Sequence, residues 1–211
     1  MRSPGAEMSS QKNAERFKGF SDDYEAARPV LPAYPAEIII RYLGRQPVTV
    51  VDLGCGTGLS TMIWKGYSRQ VIGVEPSSDM LAVALQKQNE QFSFVQGSGQ
   101  KTGLEDESAD AVVCSQSFHW MEPTDTCKEV DRSLKPGGVL ATIDYDWPPV
   151  SLWPADQAFE EFFARIKKIE ATVPEIQNTF VRYPKEQHLA NIRKSGYFRY
   201  AREALFANSE T

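Results

Sequence analysis

The chain has 211 residues, of which 41% are hydrophobic and 24% charged, and its formal net charge is −5. This length and composition suit one globular domain with a sizeable core. The acidic balance, without a dense Lys/Arg run, argues against a nucleic-acid or anionic-membrane partner. No segment approaches the roughly 18 apolar residues that span a bilayer, and no apolar signal segment starts the chain. Three scattered cysteines, Cys55, Cys114 and Cys127, lack metal-ligand spacing and fit free thiols in a reducing compartment. We therefore expect a cytoplasmic protein, monomeric or homodimeric, without a metal site.

The amino-terminal region divides into predicted segments. Residues 1–11 are polar and are expected to be a disordered end or an added tail. Residues 12–35 are expected to form a helical arm over the functional site, with aromatic residues along the helix and prolines in the turn that follows. The main domain is expected to occupy residues 36–211, and it starts with a helix that ends at Gly44.

Between residues 48 and 144, short β-branched runs alternate with amphipathic stretches. The runs predict strands at 48–53, 71–74, 92–95, 109–114 and 139–144. The intervening stretches predict helices at 60–66, 78–88 and 123–134, and Lys135-Pro136-Gly137-Gly138 predicts a turn. This alternation is typical of an α/β fold, a Rossmann-like, doubly wound, mostly parallel sheet with helices on both faces.

The pattern changes after residue 145, where prolines interrupt the alternation. Residues 150–196 are expected to form a helical lid over the carboxyl edge of the sheet, closed by Gly196. An apolar stripe in the lid is expected to pack into the core; it comprises Phe159, Phe162, Phe163, Ile166 and Ile169. Residues 198–206 predict a final strand. No further strand is legible. If the chain is truncated there, the edge of the sheet is expected to be exposed, and the chain is expected to express poorly or dimerise unless it is extended.

The most specific signal is Asp52-Leu53-Gly54-Cys55-Gly56-Thr57-Gly58, directly after the first predicted strand. Glycines at every second position allow a tight turn that brings the backbone close to a ligand, and the next helix is expected to direct its amino-terminal amides there. The spacing departs from the dinucleotide fingerprint G-x-G-x-x-G, since Leu59 stands at the third glycine position. It resembles the first motif of the class I S-adenosylmethionine-dependent methyltransferases. The resemblance implies cofactor contacts for Asp52, Gly54, Cys55, Gly56 and Gly58.

Two further loops extend this predicted cofactor site. Glu75 ends the second predicted strand, where an acid accepts hydrogen bonds from ribose hydroxyls. Pro76 follows it, and Met80 lies one turn into the next helix, where it packs either on the adenine or in the core. In the methyltransferase pattern, the loop after the third strand contacts the adenine, often through an acid. Here that loop contains Ser98 and Gly99 and no acid, so a polar side chain or the backbone is expected to take this role.

The segment Cys114-Ser115-Gln116-Ser117-Phe118-His119-Trp120 follows the fourth predicted strand, at the expected topological switch point. It resembles the stretch AQAFHWF of small-molecule methyltransferases in the trans-aconitate methyltransferase-like, methyltransferase type 11 group. The resemblance covers nearly the whole chain, from about Phe17 to Phe206. We expect the carbonyls near Ser115 and Gln116 to bind the ammonium group of the cofactor.

The predicted substrate side of the site is aromatic and contains an imidazole. Three residues are candidates for contact with the sulfonium or the substrate, with core packing as the alternative for each: Phe118, Trp120 and Tyr24. Arg28 pairs with a carboxylate of cofactor or substrate, or forms a surface ion pair. His119 is expected to line the substrate pocket; a hydroxyl or amine acceptor would use it as a base, whereas a carboxylate acceptor needs none. His188 lies on a predicted polar helix and is expected to be structural.

These motifs predict an S-adenosyl-L-methionine-dependent methyltransferase that moves a methyl group to a small-molecule carboxylate, hydroxyl or amine and releases S-adenosyl-L-homocysteine. The protein's part in this chemistry is orientation, exclusion of water and electrostatics. Two alternatives stay open. One is a catalytically silent binding protein on the same fold. The other is a nicotinamide-dependent oxidoreductase, against which the glycine spacing argues.

Overall fold

The computed structural model describes Gly19, Glu25, Arg28 and residues 31–145, 152–173 and 181–206. The predicted end at 1–11, the predicted helix of the arm with Tyr24, and parts of the predicted lid lie outside the described residues. The described part contains the whole predicted five-stranded unit and the loops at its carboxyl edge.

Five parallel strands form one sheet in the order β3-β2-β1-β4-β5. They are β1 (Thr49–Leu53), β2 (Gln70–Glu75), β3 (Phe92–Gln96), β4 (Ala109–Ser115) and β5 (Leu134–Ile143). All five residues of β1 are buried, as expected for a β-branched strand in the middle of a two-sided sheet. The strand order reverses between β1 and β4, and such a reversal opens a crevice at the carboxyl ends. The predicted α/β fold with a doubly wound parallel sheet is confirmed.

Five α-helices occur within the described residues: α1 (Tyr34–Leu43), α2 (Ser78–Leu85), α3 (Pro123–Ser133), α4 (Trp153–Thr172) and α5 (His188–Ser195). α1 has Pro35 in its first turn and ends at Gly44, whose φ of 67° is left-handed and stops the helix. α3 begins where the Glu122 side chain accepts a hydrogen bond from the backbone N–H of Asp125. None of the described helices is long and apolar enough to cross a membrane.

The core lies on both faces of the sheet. Successive residues of β1 point to opposite faces. Val50 therefore packs with Ile39 of α1 and with Trp64, whereas Val51 packs with Val130 of α3 on the other side. Burial on both faces fixes the register of the strands, so their carboxyl ends meet at one edge.

The helix predicted at 60–66 is wrong, because the chain there forms only a short 3₁₀ helix, Thr61–Trp64. Ser60 and Thr61 donate their hydroxyls to the carboxylate of Asp52 at 2.8 and 2.7 Å, which holds this segment against the sheet. Gly66 then takes a left-handed φ of 81°. A single turn has too few aligned peptides for a substantial dipole, so this segment does not supply the expected anion-directing helix terminus.

Residues 198–206 do not form the predicted strand, and within the described ranges β5 is hydrogen-bonded to β4 alone. The segment lies against α1 instead. The guanidinium of Arg202 is 4.8 Å from the ring centroid of Tyr42, and Phe206 contacts Tyr34 edge-on at 5.2 Å. Earlier in the segment, Arg193 of α5 donates to the carbonyl of Ala201 at 2.8 Å, so side-chain contacts with two helices hold the segment in place of strand pairing.

The predicted turn at residues 135–138 is part of β5. Leu134 pairs with Ala109, and Val139 pairs with Ala111, so four residues of β5 lie opposite one residue of β4. Gly137 has a φ of 79° within this irregularity. The residues that predict a turn therefore form a bulge, which interrupts β5 without ending it.

The lid helix α4 forms, but the prediction that its apolar stripe packs in the core is wrong. None of its side chains is buried, and Phe162 and Ile169 are 57% and 54% exposed. Phe159, Phe163 and Ile166 are half-buried. The half-buried residues Phe159, Phe163 and Ile166 lie on one side of this stripe, and the exposed residues Phe162 and Ile169 lie on the other.

Candidate functional site

The carboxyl edge of the sheet opens into one groove of about 2450 Å³. The turn after β1, the residues after β2 and β4, the strand β5 and much of the segment 182–206 line it. A pocket for one small molecule usually has about 300–1,000 Å³. The groove exceeds this range because it also runs along the whole length of β5, from Leu134 to Ile143.

The glycines of the turn after β1 have different functions. Gly54, Gly56 and Gly58 all have left-handed φ values, of 73°, 58° and 85°. A Cβ at Gly54 would lie 2.7 Å from Cβ of Ser117, and one at Gly58 would lie 3.0 Å from the Phe94 ring, so both positions are glycine for packing. Gly56 meets nothing within 4 Å and faces the groove. Gly54 also lines the groove, whereas Gly58 does not, and the cofactor contacts of both glycines stay predictions.

Cys55 contributes to the groove mainly through its backbone. Its side chain is 5% exposed and packs in the core against the backbone of Gly73. Burial is the main reason that the pKa of its thiol lies well above the ordinary value. The thiol is therefore a packing group beneath the turn.

Asp52 lies beneath the turn. Its side chain is fully buried and does not line the groove, so the predicted cofactor contact of Asp52 stays a prediction. Oδ2 accepts the hydroxyls of Ser60 and Thr61, while Oδ1 has no hydrogen-bond partner among the described residues. Burial raises the pKa of Asp52 to about 6, although the two hydroxyls oppose this rise. Asp52 thus shapes the turn from below and carries a charge that is costly at neutral pH.

Glu75 connects the ends of β1 and β2. Its Oε2 accepts the backbone N–H of Gly56 at 2.9 Å, and its Oε1 accepts that of Ser77 at 2.8 Å. The side chain lines the groove and is almost buried. Burial raises the pKa of Glu75 to about 7 against the two amide hydrogen bonds, and the charge of Asp52 adds to the rise. Each carboxylate oxygen can accept a second hydrogen bond, so Glu75 remains able to bind a diol in the groove.

Two of the residues predicted for the adenine side, Pro76 and Met80, line the groove, although Met80 is only 2% exposed. Ser98 forms a tight turn with Lys101, through backbone hydrogen bonds of 2.9 and 3.1 Å, and does not line the groove. Gly99 and the following residue line the groove in its place. The adenine contacts of these residues stay predictions.

The loop after β4 presents Ser115 and Gln116 to the groove, as expected. Gln116 has a φ of 54°, which is uncommon for a residue with a side chain. Its backbone N–H donates to the carbonyl of Ile143 at 2.9 Å, and its Oε1 accepts Nζ of Lys185 at 2.6 Å. These contacts tie the loop to the end of β5 and support the unusual backbone conformation.

Phe118 lies in the core, whereas Trp120 lines the groove. Phe118 has no exposed surface, does not line the groove, and packs edge-on against His188 at 5.0 Å, which agrees with the alternative of core packing. Trp120 lines the groove, and the guanidinium of Arg182 lies 5.6 Å from its ring centroid. The two rings differ in exposure because the short 3₁₀ helix Phe118–Trp120 turns their side chains in different directions.

A polar cluster closes the groove at the end of β5. Asp144 directly follows β5, and its Oδ2 lies 2.9 Å from Nδ1 of His188. Its Oδ1 lies 3.8 Å from Nδ1 of His119 and 3.3 Å from Nζ of Lys185. Both imidazoles are buried, and their rings are stacked with centroids 6.2 Å apart. One carboxylate therefore faces two imidazoles and an ammonium group.

The pKa values of Asp144 and His119 are both lowered, for different reasons. Burial alone would raise the pKa of Asp144, but the two histidines and Lys185 outweigh it and hold the pKa well below the ordinary range. Burial lowers the pKa of His119, and Lys185 and Arg182 lower it further against the opposing effect of Asp144. At neutral pH, Asp144 is therefore ionised and His119 is neutral.

Sequence reasoning misses Asp144 and His188 as site residues. The signal for Asp144 is its place at the end of a predicted strand, the same place that singles out Glu75. His188 and Ile192 are four residues apart and are the buried residues of α5. That spacing was the only sign in the sequence that His188 faces inward.

Arg28 lines the groove near Tyr145. Burial raises the pKa of Tyr145, and the positive charge of Arg28 opposes the rise. The other predicted residue of the arm, Tyr24, lies outside the described residues. Arg28 thus adds a positive charge to the groove beside Tyr145.

Comparison with known proteins identifies the domain that carries this groove. Residues 51–142 match the family described as "Methyltransferase domain". The matched range contains the glycine turn, Glu75 and the loop after β4. This part of the chain is therefore a methyltransferase domain.

Two curated relatives and one solved structure illustrate the similarity. An uncharacterized methyltransferase-like protein of Schizosaccharomyces pombe is 36% identical over 138 residues, which cover 64% of this chain and 54% of that protein. A probable S-adenosylmethionine-dependent methyltransferase of Saccharomyces cerevisiae is 30% identical over 134 residues, which cover 61% of this chain and 46% of that protein. The chain thus spans about half the length of these relatives. A Thermotoga maritima SAM-dependent methyltransferase, described as a possible histamine N-methyltransferase, has a TM-score of 0.58 at 24% identity, covering 85% of this chain and 79% of its own. That likeness supports the fold alone.

Proposed function

We propose that this protein, whose residues 51–142 form a methyltransferase domain, transfers a methyl group from S-adenosyl-L-methionine to a small-molecule acceptor and releases S-adenosyl-L-homocysteine. The observation that carries the proposal is the hydrogen bond from the backbone of Gly56 to Glu75 at 2.9 Å. It places a buried acid beside a turn that is open to the groove, where sheets of this kind bind a ribose.

The groove residues fit the successive parts of S-adenosyl-L-methionine. Glu75 would hold the ribose hydroxyls, Pro76, Met80 and Gly99 the adenine, Gly54 and Gly56 the backbone side of the nucleoside, and Ser115 and Gln116 the amino-acid end. When bound, the methyl donor supplies a methyl group activated on a sulfonium. Trp120 offers an aromatic face to such a cation, an interaction of about 0.5–2 kcal/mol. The remaining contribution of the protein is to orient both ligands and exclude water.

A small-molecule acceptor is supported by the dimensions and charges of the groove. The groove continues past the glycine turn to the cluster at the end of β5, since Asp144, Lys185 and His188 also line it. Arg28, His119 and Trp120 line the groove. A carboxylate, a hydroxyl or an amine is compatible with this set of cationic, imidazole and aromatic groups.

Calorimetry tests the proposed cofactor. S-adenosyl-L-methionine and S-adenosyl-L-homocysteine are expected to bind one-to-one, whereas NAD and NADP are expected not to bind, since the glycine spacing departs from the dinucleotide fingerprint. Binding of NAD without binding of S-adenosyl-L-homocysteine would contradict the proposal and favour the oxidoreductase reading.

A consumption screen tests the proposed transfer. Carboxylic acids, phenols and amines are incubated with the protein and S-adenosyl-L-methionine, and the S-adenosyl-L-homocysteine formed is measured. Methylation of one chemical class above the acceptor-free control supports the proposal. Tight cofactor binding with no transfer to any member of a broad metabolite panel favours the silent binding protein.

A further inference from the structure

We infer that Asp144 is a positioning residue for His119, and that His119, held in this way, accepts the proton that a hydroxyl or amine acceptor loses during methyl transfer. This inference rests on the proposed function and deepens it, because it names the acceptor class. Its geometric basis is the carboxylate at the end of β5 that faces both imidazoles of the chain.

His188 fixes the orientation of Asp144. A carboxylate can only accept a hydrogen bond, so Nδ1 of His188 is the donor in the 2.9 Å contact with Oδ2. The His188 ring is itself 3% exposed and packed edge-on against the fully buried Phe118. The anchor therefore belongs to the core, and it leaves Oδ1 of Asp144 to face His119.

Nδ1 of His119 and Oδ1 of Asp144 are both buried without a hydrogen-bond partner among the described residues, although Oδ1 is ion-paired with Nζ of Lys185 at 3.3 Å. Nδ1 of His119 and Oδ1 of Asp144 face each other and are 3.8 Å apart. This separation exceeds a hydrogen bond by about 1 Å. Catalytic contacts are often long in a free enzyme and shorten when the ligand binds. A small rotation would satisfy both buried atoms at once.

The charged groups around His119 allow it to be neutral before the reaction and to hold a proton during it. Lys185 and Arg182, from the segment before α5, disfavour a resident proton, while Asp144 from β5 favours one. The His188 ring is stacked on the remaining side at 6.2 Å. His119 is thus neutral before the reaction, and Asp144 stabilises the imidazolium that forms during it.

In the proposed step, transfer of the methyl group is coupled to transfer of the acceptor's proton. The lone pair of the acceptor oxygen or nitrogen forms a bond to the methyl carbon, and the sulfur–methyl bond breaks with its electron pair remaining on sulfur. The acceptor proton passes to Nε2 of His119, whose Nδ1–H points to Asp144. Release of that proton to solvent restores neutral His119. A carboxylate acceptor is already ionised and would make His119 dispensable.

The tautomer of His119 tests the positioning role without any acceptor. The chain has two histidines, so ¹⁵N NMR shows two imidazoles, and His188→Gln leaves His119 alone for assignment. We expect neutral His119 to carry its proton on Nδ1 in the wild-type protein. A neutral His119 protonated on Nε2 would overturn the inference, whether or not the Asp144 variants fold.

Titration of the same signal measures the influence of Asp144. Asp144→Asn is expected to lower the pKa of His119 by about 1, because a nearby opposite charge is lost. The matched control is Asp110→Asn, which removes another buried carboxylate that is ion-paired to Arg45 and Lys135 at the amino end of β4. The control is expected to leave the His119 titration unchanged. Equal titration in Asp144→Asn and wild type would overturn the positioning role.

Acceptor chemistry tests the proton transfer. With phenols and primary amines as probes, His119→Gln is expected to reduce kcat by about 100-fold and to remove the acidic limb of its pH profile. Asp144→Asn is expected to reduce kcat at least about tenfold with an unchanged Kd for S-adenosyl-L-homocysteine. Methylation of carboxylic acids alone, or a His119→Gln rate within about twofold of wild type, would overturn the proton transfer. Absence of any cofactor binding by wild type would instead refute the proposed function, and the tautomer measurement would still stand.

Discussion

The carboxylate of Glu75 accepts the backbone N–H of Gly56 at 2.9 Å, so the end of β2 is hydrogen-bonded to the glycine turn that follows β1. The left-handed φ of 58° at Gly56 makes this N–H available to the acid. A second hydrogen bond, from Ser77, orients the other carboxylate oxygen. The acid that the sequence assigns to a ribose therefore also shapes the turn beside it.

Replacing this acid is expected to weaken cofactor binding more than folding. Glu75→Gln keeps the size of the side chain but gives it one acceptor atom in place of two, so Gly56 and the ribose compete for it. We expect calorimetry at neutral pH to show a Kd for S-adenosyl-L-homocysteine raised by about 10–100-fold, since hydrogen bonds to charged groups contribute about 1.5–3 kcal/mol each.

The matched control for this prediction is Glu129→Gln. Glu129 is also hydrogen-bonded, to Thr102 and Arg132, but it does not line the groove. Its replacement is expected to lower the unfolding temperature and to leave the Kd within about twofold. Similar Kd values for the two variants would show that Glu75 is a structural acid.

Alanine substitutions at two glycines of the turn should affect folding stability and ligand binding differently. Gly54→Ala would place a Cβ 2.7 Å from that of Ser117 in addition to adopting a left-handed φ, so we expect a loss of more than about 2 kcal/mol in the free energy of unfolding. Gly56→Ala meets no neighbour and should lose only the backbone term of about 1–2 kcal/mol. It does add a methyl group on the groove side, so its Kd for S-adenosyl-L-homocysteine should rise.

Gly66→Ala measures the stability cost of placing alanine in a left-handed backbone conformation without a steric clash. Gly66 has a left-handed φ of 81°, is exposed and meets nothing within 4 Å. Urea unfolding should give Gly66→Ala and Gly56→Ala similar losses of stability, while only Gly56→Ala weakens binding. If Gly56→Ala bound the ligand as wild type does, the turn would not approach the cofactor.

The sheet and the cofactor side were predictable because their signals are local. The buried run that ends at Asp52, the alternating glycines and the acid at Glu75 each carry their meaning within a few residues. Their lateral arrangement follows from the handedness of parallel crossovers. Local signals do not, however, distinguish residues that line the groove from residues that support it. Asp52, Gly58 and Phe118 belong to the motifs, yet they lie beneath the surface that a ligand can reach.

The acceptor side was less predictable because it depends on contacts between distant residues. Asp144 and His188 are 44 positions apart, and neither residue has a pattern that points to the other. The same limitation explains the strand wrongly predicted at 198–206, whose β-like composition is overridden by contacts such as that of Arg202 with Tyr42. Local propensity also overstated the helix at 60–66, where two hydroxyls bond to Asp52 instead.

The burial of Asp52 predicts a pH dependence of stability. Its pKa is raised from 3.8 to about 6, so the folded state binds more protons than the unfolded state between these values. The corresponding stability is fully present below about pH 4 and is lost as the pH rises through about 6. Asp110, whose pKa is lowered to about 2, titrates below this window.

Urea unfolding across this window provides the measurement. The free energy of unfolding of wild type should fall by up to about 3 kcal/mol from this group between about pH 4 and pH 8. Asp52→Asn, which cannot ionise, should show a correspondingly smaller fall. The rest of the fall in that variant should come from Glu75, whose pKa is raised to about 7. Parallel profiles for wild type and Asp52→Asn would contradict the assignment.

The neighbouring residues Phe118 and Trp120 provide a final contrast between core and groove. Phe118→Ala removes a fully buried ring that also supports His188, so we expect a loss of about 3–5 kcal/mol in the free energy of unfolding. Trp120→Ala removes a half-buried ring that lines the groove, and its loss of stability should be well under half as large.

The main effect of Trp120→Ala should be a lower affinity for S-adenosyl-L-methionine relative to S-adenosyl-L-homocysteine, because only the former carries the sulfonium charge that an aromatic face attracts. Trp120→Phe, which keeps an aromatic face, should restore most of that preference. If both Trp120 variants kept the wild-type ratio of the two dissociation constants, the ring would contact the acceptor or the lid rather than the sulfonium.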